Sequence, residues 1–410
     1  MSSLVILNIG EFFTGRMDAP ESPVKALLIE DGRIASLDAA VAEAAAPRAD
    51  RVLDAAGGAV LPGLIDGHVH PVFGEWTPAQ DAIGWIRNYL HGGTTSMVSA
   101  GELHIPGLDY SALTPELVTS IAIVARATTG RVRWSGVKVR AGTVLMVPGM
   151  TEAHFDRLAD AGVRYAKFLF YPFAGREEEA KRYVRWCHDR GMLVKVHTGG
   201  VSRSGASAVC GYEVLSWLQP DVAAHVSGGP IPMPDEDIDS VVDKTSFALE
   251  VCSSGNYRST LRLINRLTAC NGLDRLVLGA DTPGGTGVIP RGMLRNILYA
   301  SSVCGLTPGQ AVAAATGNVG KAHGLEEGIL EPGQPADLLL CGPVTGSAGV
   351  TLSDAIGHGD LPGISHVVVD GELLISGGSQ QTPPPSRPAF FCCCAPPEDG
   401  GAGGFICTPE

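Results

Sequence analysis

The stretch Val60-Leu61-Pro62-Gly63-Leu64-Ile65-Asp66-Gly67-His68-Val69-His70-Pro71 decides the fold prediction, because an apolar run ends in His-x-His. Side chains alternate between the two faces of a β-strand, so His68 and His70 point the same way. Two imidazoles side by side at the end of a buried strand form half of a typical metal site. A pair of core or surface histidines explains this motif equally well, so the rest of the chain has to decide.

The composition limits the class of protein. The chain has 410 residues, a formal net charge of −13 and no basic patch, which argues against nucleic acid and anionic membranes as partners. No basic segment followed by an apolar core marks a signal peptide, and no apolar run reaches the roughly 18 residues needed to span a bilayer. Six of the ten cysteines are scattered singly through the body of the chain. These features predict a cytoplasmic protein without a nucleic-acid or membrane partner, which leaves a small molecule as the expected partner once a site is identified.

Both ends of the chain are rich in predicted strands. Residues 25–37 and residues 366–375 each form a predicted hairpin around an Asp-Gly turn. Two β-rich ends that flank one core are expected to pair with each other. We therefore predict one small β-sandwich domain that is built from residues 1–60 and 328–385.

The segment between these ends, 61–327, alternates predicted strands and helices. Eight candidate strands lie near residues 62–70, 94–99, 136–146, 164–171, 193–197, 222–226, 246–252 and 275–281. Helical patterns fill the intervals, as at 114–127 and 177–190. Such a series of strand–helix units, about 250 residues long, is typical of a (β/α)8 TIM barrel in the α/β class.

The last segment, 386–410, is rich in Cys, Gly and Pro. The adjacent residues Cys392, Cys393 and Cys394 are poor chelators of a single metal ion, because neighbouring side chains diverge. The composition predicts a disordered tail. A redox or thiol–metal tag and a peptide substrate fused to its enzyme are the alternatives.

Ionisable residues end several barrel strands, and in such barrels the chemistry sits at the C-terminal strand ends. Besides His68 and His70, strand five ends in His197, strand six in His225 and strand eight in Asp281. A single histidine at a strand end is more often a core residue with its hydrogen bonds satisfied. Histidines and an aspartate that share one layer predict a metal site instead.

Lys167 lies within the apolar fourth strand, where a charged ammonium is unfavourable unless it is paired or neutral. Burial lowers the pKa of a lysine, and a neutral amine reacts with carbon dioxide to form a carbamate. The two oxygens of a carbamate can bridge two divalent metals. An ion pair between Lys167 and Glu250 of the seventh strand is the simpler alternative, but the neighbouring ligand-type residues favour the carbamate.

Together these residues resemble the amidohydrolase superfamily. The resemblance extends over residues 1–385 and depends on the first-strand motif, the strand-end ligands and the divided β domain. Within the superfamily the chain is similar to the enamidases, which open a cyclic amide conjugated to an alkene. The similar segments are Leu90–Thr95, Val196–Gly200, His225–Pro230, Asp281–Gly287 and Gly359–Ser365.

The resemblance implies a binuclear hydrolase. The first-strand histidines and Asp281 would hold one divalent metal. His197 and His225 would hold the second, and carbamylated Lys167 would bridge the two. Zn²⁺ suits imidazole and carboxylate ligands, with Fe²⁺ and Mn²⁺ as alternatives. A metal-activated hydroxide would attack the amide, with Asp281 as general acid and base. The resemblance also implies a homo-oligomer, most simply a tetramer.

Substrate contacts are expected from residues around the mouth of the barrel. Arg140 near the end of strand three, His104 after strand two, Tyr171, and Arg291 after strand eight are the candidates. An arginine there would suit a substrate carboxylate, which it can bind through two parallel hydrogen bonds. A solvated loop residue is the alternative for each of them.

The leading hypothesis is therefore an amidohydrolase that opens a small cyclic amide, a lactam or enamide. The alternative is another reaction of the superfamily, on an imidazolone, a hydantoin-like ring, a linear amide or an ester. His197 is followed by Thr198-Gly199-Gly200, so the glutamate of a mononuclear deaminase is missing. A non-catalytic metal-binding homologue is a third hypothesis, and the full set of candidate ligands argues against it.

Overall fold

The structure is a computed structural model, and it describes residues 2–71, 85–102, 105, 108–130, 134–169, 173, 175–202, 207–229 and 231–392. Two predicted substrate contacts, His104 and Tyr171, lie outside the described residues. The described strands form a ring of parallel strands and two further sheets.

The ring has eight strand positions, and the third is interrupted. In chain order, strands one to eight are Leu64–Val69, Thr94–Ser99, Lys138–Arg140 with Val144–Leu145, Tyr165–Phe168, Leu193–His197, Val222–Ala224, Ala248–Cys252 and Leu276–Gly279. Neighbouring strands pair in parallel. The ring closes where Asp281 N donates to His68 O at 2.9 Å and His70 N donates to Thr282 O at 2.7 Å. The predicted TIM barrel is confirmed.

Helices alternate with these strands. Those of the described residues 85–323 are Trp85–His91, Pro115–Thr129, Glu152–Asp160, Glu177–His188, Tyr212–Leu218, Asp235–Lys244, Tyr257–Ala269, Gly292–Ser302, Pro308–Ala314 and Gly317–His323. Local sequence explains where they begin: Thr114 accepts a hydrogen bond from Leu117 N, and Pro115 occupies the first turn. Tyr183 and Cys187 lie one turn apart and are fully buried, as an amphipathic helix on a barrel requires.

Two five-stranded sheets contain both ends of the chain. One has the order Phe390–Phe391, Arg51–Asp54, Ser3–Leu7, Leu27–Glu30, Arg33–Ser36, and the other has the order Glu372–Ile375, Gly363–Val369, Leu338–Gly342, Ala59–Pro62, Glu11–Phe12. Leu338 pairs antiparallel with Pro62, so the expected pairing of the two ends is present. One buried apolar cluster contains Ile6 of the first sheet and Leu340 of the second. Two helices, Ala39–Ala45 and Leu352–His358, lie between strands of these sheets along the chain.

Gly63 connects the second sheet to strand one of the barrel. A Cβ at this position would lie 2.2 Å from Thr95 Oγ1, so a larger residue would displace strand two. The predicted domain boundary after residue 60 falls inside the strand Ala59–Pro62, which belongs to the sheet. The physical transition between sheet and barrel is therefore Gly63.

The chain stays ordered beyond the predicted start of the tail at residue 386. Phe390 and Phe391 pair antiparallel with Asp54 and Leu53, and Cys392 N donates to Val52 O at 3.0 Å. The short strand covers an edge of the first sheet, which would otherwise present unpaired backbone groups. Residues 393–410, the rest of the predicted tail, lie outside the described part of the chain.

Lys138 connects strand three to the second sheet through a buried ion-pair cluster. Its Nζ lies 2.8 Å from Asp337 Oδ2 and 2.5 Å from Asp370 Oδ1. The side chains of Lys138 and Asp337 are only 9% and 1% exposed. The lysine therefore places one positive charge beside two carboxylates at the junction of barrel and sheet.

Replacing Lys138 by methionine should destabilise the protein, because the buried carboxylate of Asp337 and the partly exposed carboxylate of Asp370 lose their counter-charge. We expect the free energy of unfolding to fall by about 3–5 kcal/mol, measured as a shift of the urea midpoint. The control is Lys181→Met, which removes an exposed ion pair with Glu178 and should change stability by about 1 kcal/mol or less. Equal midpoints for the two variants would contradict the role of Lys138.

Candidate metal centre

His68, His70 and Asp281 form one group where strands one and eight end. Asp281 Oδ1 lies 3.5 Å from His68 Nε2 and 3.3 Å from His70 Nε2. Two ligands that bind one ion tetrahedrally at about 2.0–2.2 Å are separated by about 3.3 Å. The three buried side chains are therefore spaced as ligands to one metal ion.

Both histidines of this group are held by their other ring nitrogen. His68 Nδ1 lies 2.6 Å from Glu250 Oε2, and His70 Nδ1 lies 2.9 Å from Gly101 O. An acceptor beside Nδ1 favours the tautomer that carries its proton there. Nε2 then presents a free lone pair toward Asp281, as in histidines that bind metals.

His197 and His225 form a second group beside the first. His197 Nδ1 lies 3.2 Å from His225 Nε2, and His197 Nε2 lies 2.7 Å from Gly200 O. The rings of His225 and His68 have centroids 5.3 Å apart. The structure therefore brings the predicted histidines of strands one, five and six into one cluster with Asp281.

The backbone at two of these residues is unusual. His225 and Asp281 have φ values of +40° and +59°, in the left-handed region that L residues rarely adopt. His225 directly follows strand six, and Asp281 lies two residues after strand eight, where this conformation redirects the chain. Gly285 lies over the Asp281 carboxylate so closely that a Cβ would be 1.9 Å from Oδ2. Backbone strain of this kind is concentrated at functional sites.

Lys167 is buried near the cluster without a hydrogen-bond partner for its Nζ among the described residues. It pairs in register with Lys195, two residues before His197 on strand five. Burial lowers the pKa of Lys167 to about 8. The simpler alternative, an ion pair with Glu250, is not what the structure shows: Glu250 contacts His68 and lies 3.6 Å from Lys195 Nζ. An orphaned buried amine requires an explanation, and a bound ion or modification provides one.

Burial sets the charge state of the cluster. It lowers the pKa of His197 to about 4 and the pKa values of His68 and His225 well below the usual range. Burial raises the pKa of Asp281, but His68 and His70 lower it by more, so the net shift is downward. The residues present therefore fit a divalent ion, since metal binding needs neutral imidazole and ionised carboxylate.

His68 also belongs to a second group of ligand-type residues, with Glu250 and Cys252. The 2.6 Å between His68 Nδ1 and Glu250 Oε2 is a hydrogen-bond distance and is too short for two ligands of a tetrahedral ion. Burial also raises the pKa of the Cys252 thiol well above its usual value, which keeps it protonated. The Nε2 side of His68 is therefore the better metal site.

Arg140 is not brought to this cluster. The third strand is interrupted after Arg140, whose guanidinium lies 2.6 Å from Glu327 Oε1. Arg140 lines a cavity of about 860 Å³ together with Tyr165 and Leu193, which begin strands four and five. The cavity therefore opens at the N-terminal face of the barrel, which in this fold usually serves stability. Arg291 is exposed in the segment after strand eight, directly before the helix Gly292–Ser302.

Lys195 also lies beside the cluster, although it is not among the predicted site residues, and Glu250 contacts His68 and Lys195 instead of Lys167. The signal for Lys195 was present, because Lys-x-His in an apolar strand places the lysine on the same face as His197. Asp66, which shares the strand face of His68, accepts hydrogen bonds from the backbone N–H groups of His68 at 3.1 Å and Ala280 at 2.8 Å. It therefore joins strand one to strand eight.

Comparison with known proteins places the chain among hydrolases. The amidohydrolase family matches residues 59–374. The chain belongs to the amidohydrolase family. It is 36% identical over 376 residues to the enamidase of Eubacterium barkeri, which covers 92% of this chain and 96% of that one. It is therefore an enzyme that acts on carbon–nitrogen bonds other than peptide bonds, in a superfamily whose members use divalent metal ions.

Two further similarities agree with this family. The crystal structure of enamidase, solved at 1.9 Å resolution, matches with a TM-score of 0.88 at 35% identity and covers 95% of this chain and 100% of that one. An imidazolonepropionase of Salinispora tropica is 26% identical over 381 residues, which covers 83% of this chain and 92% of its own. Among the described helices, none has the length and apolar character that crossing a bilayer demands.

Lowering the pH from 7 to 5 should destabilise the metal-free protein. An unfolded histidine takes up its proton near pH 6.5, whereas burial holds the pKa of folded His197 at about 4. The unfolded state then binds more protons between these values. The stability present above pH 6.5 is lost as the pH falls toward 4, by about 2 kcal/mol for this ring between pH 7 and 5.

Urea midpoints at both pH values measure this loss. His197→Asn should weaken the pH dependence, whereas His358→Asn, which alters an exposed histidine, should leave it unchanged. An identical pH dependence in the wild type and His197→Asn would exclude the buried ring as its source.

Proposed function

We propose that the chain is a binuclear metal-dependent hydrolase that opens a small cyclic amide, a lactam or enamide. The cluster of buried histidines around Asp281 is the observation that carries the proposal, together with Lys167, whose Nζ has no hydrogen-bond partner in the described part of the chain. The similarity to enamidase over nearly the whole of both chains supports the substrate class.

Two ions would share the ligands in this proposal. His68, His70 and Asp281 would hold the first, because their ligand atoms have the spacing of one coordination sphere. His197 and His225 would hold the second, and Lys167 as a carbamate would supply oxygen ligands to both. Zn²⁺ suits these ligands, with Fe²⁺ or Mn²⁺ as alternatives. When bound, such ions lower the pKa of a water and polarise the amide carbonyl.

Asp281 transfers the proton. Its carboxyl is ionised at neutral pH, since the neighbouring His68 and His70 outweigh the effect of burial on its pKa. Its Oδ2 lies 3.4 Å from Ser254 Oγ, which helps to orient the carboxylate. Asp281 can therefore accept a proton from the attacking water and deliver it to the leaving nitrogen.

Replacing Asp281 by asparagine should lower kcat by about 10²–10⁴-fold, because the amide cannot accept the proton. Steady-state hydrolysis of a panel of lactams and cyclic enamides by the metal-loaded protein measures this. The control, Asp274→Asn, changes an exposed aspartate and should retain wild-type kcat.

The same panel distinguishes the alternatives. The absence of turnover of every cyclic amide in the panel, with Zn²⁺, Fe²⁺ or Mn²⁺ present, would contradict the proposal. Turnover of an imidazolone, a hydantoin-like ring, a linear amide or an ester instead would favour the alternative, for which the similarity to imidazolonepropionase is the specific observation. No turnover at all, with normal metal binding, would favour a non-catalytic homologue.

Lys167→Ala should abolish activity, because a bridging ligand is lost. Short carboxylic acids should restore part of the activity by supplying two oxygens in the space that the side chain leaves. Wild-type protein reconstituted with bicarbonate should bind two metal ions per chain, measured by elemental analysis. Full activity of Lys167→Ala without added acid, or fewer than two ions in the wild type, would count against the bridge.

We also propose that the two five-stranded sheets are one composite β-sandwich domain beside the barrel. Their shared apolar cluster, with residues from both sheets, supports this. The domain limits that follow are about 1–62 and 328–392, with the barrel between them. A homo-tetramer and a cytoplasmic location remain predictions from the resemblance and the composition.

A further inference from the structure

Two buried charged residues beside the metal cluster have no role in the mechanism above. Lys195 on strand five and Glu250 on strand seven are both fully buried. Lys195 Nζ lies 3.6 Å from Glu250 Oε1 and also donates to Gly67 O. Each charge would be unfavourable if it were buried alone, so the two residues compensate each other.

Glu250 contacts ligand residues of both proposed metals. Its Oε2 accepts a hydrogen bond from His68 Nδ1 at 2.6 Å and another from the backbone N–H of His225 at 3.3 Å. The first contact turns His68 Nε2 toward Asp281. The second holds the backbone of His225 in its left-handed conformation, which is unfavourable for an L residue without such support. One carboxylate oxygen therefore orients a residue of each metal.

Lys195 contacts the backbone next to His68 as well as Glu250. The carbonyl of Gly67 that it binds directly precedes His68 in strand one. A Cβ at Gly67 would lie 3.3 Å from Glu250 Oε1, so the glycine lets strand one approach the carboxylate closely. Lys195 thus holds both Glu250 and the backbone that carries His68.

We propose that Lys195 and Glu250 are positioning residues of the metal centre. Their ion pair fixes the ring of His68 and the turn at His225, and it thereby sets the affinity for metal. Neither residue binds substrate or metal in this proposal, which rests on the proposed metal centre. Mutation of residues that orient metal-binding histidines in this way typically weakens metal binding by about 10–100-fold.

A purely structural ion pair makes a different prediction. Arg140 and Glu327 form such a pair at the other face of the barrel, 2.6 Å apart and with the Glu327 side chain 2% exposed. Removing a structural pair lowers stability without changing how the protein binds metal. Glu327→Gln is therefore the matched control for Glu250→Gln: both remove a buried negative charge, and only Glu250 contacts the ligand residues.

The test is a titration of the metal-free full chain with Co²⁺ alone, followed by visible absorption. Glu250→Gln should weaken Co²⁺ binding by about 10–100-fold and alter the absorption band, because His68 is no longer oriented by a carboxylate. Glu327→Gln should keep wild-type affinity and spectrum. Lys195→Met should weaken binding as well, and the Lys195→Met/Glu250→Gln double variant should be weakened less than the product of the two single effects.

Each result separates the proposals. A wild-type chain that binds no Co²⁺ would remove the metal centre and, with it, this inference. A wild-type chain that binds two equivalents, with unchanged affinity in Glu250→Gln, would overturn the positioning role alone. Single effects that multiply in the double variant would show that Lys195 does not act through Glu250, which also overturns it.

A second variant protects the test against misfolding. Glu250→Asp keeps the negative charge for Lys195 but withdraws the carboxylate from His68 by about one carbon–carbon bond. Circular dichroism and the thermal midpoint identify variants that fold. If Glu250→Gln does not fold, Glu250→Asp should still bind Co²⁺ more weakly than the wild type, and wild-type affinity in that variant would overturn the proposal.

Discussion

The closure of the barrel between strands one and eight is the constraint on which the site depends. Asp281 N donates to His68 O, and the buried carboxylate of Asp66 accepts from the N–H groups of His68 and Ala280. These hydrogen bonds bring the two ends of a long chain segment into contact. Asp66 is fully buried, so its hydrogen bonds are formed away from water, and this burial raises its pKa to about 7. Without this seam, His68 and Asp281 could not contribute to the same site.

Charge compensation gives the two neighbouring lysines different environments. Lys167 and Lys195 are paired in register on strands four and five, and both are buried. Lys195 has the carboxylate of Glu250 and a backbone carbonyl beside it, whereas the Nζ of Lys167 has no hydrogen-bond partner among the described residues. A buried ammonium is unfavourable without such contacts. The same residue type can therefore support orientation in one strand and metal bridging in the next.

Local pattern was sufficient for most of the barrel. Strands two and five have the limits that the sequence predicts, and the others differ by a few residues. The strand ends could be predicted from apolar runs, because the two-residue alternation of side chains in a strand depends only on neighbouring residues. Arg140 is an exception: residues 136–146 were predicted as one strand, but the strand is interrupted after Arg140, which pairs with Glu327. Likewise, the pairing of Phe390 and Phe391 with a distant edge strand is not encoded in their own neighbourhood.

The sequence by itself determined the class of fold and the candidate ligands, since both depend on short-range alternation and on what residue ends each strand. The tertiary structure alone decided which ring nitrogen of His68 faces Asp281 and which lysine faces Glu250. These choices depend on distances of a few ångströms between side chains on different strands. Hydrogen bonds and ion pairs are sensitive to such distances, and no periodicity within one strand reports them.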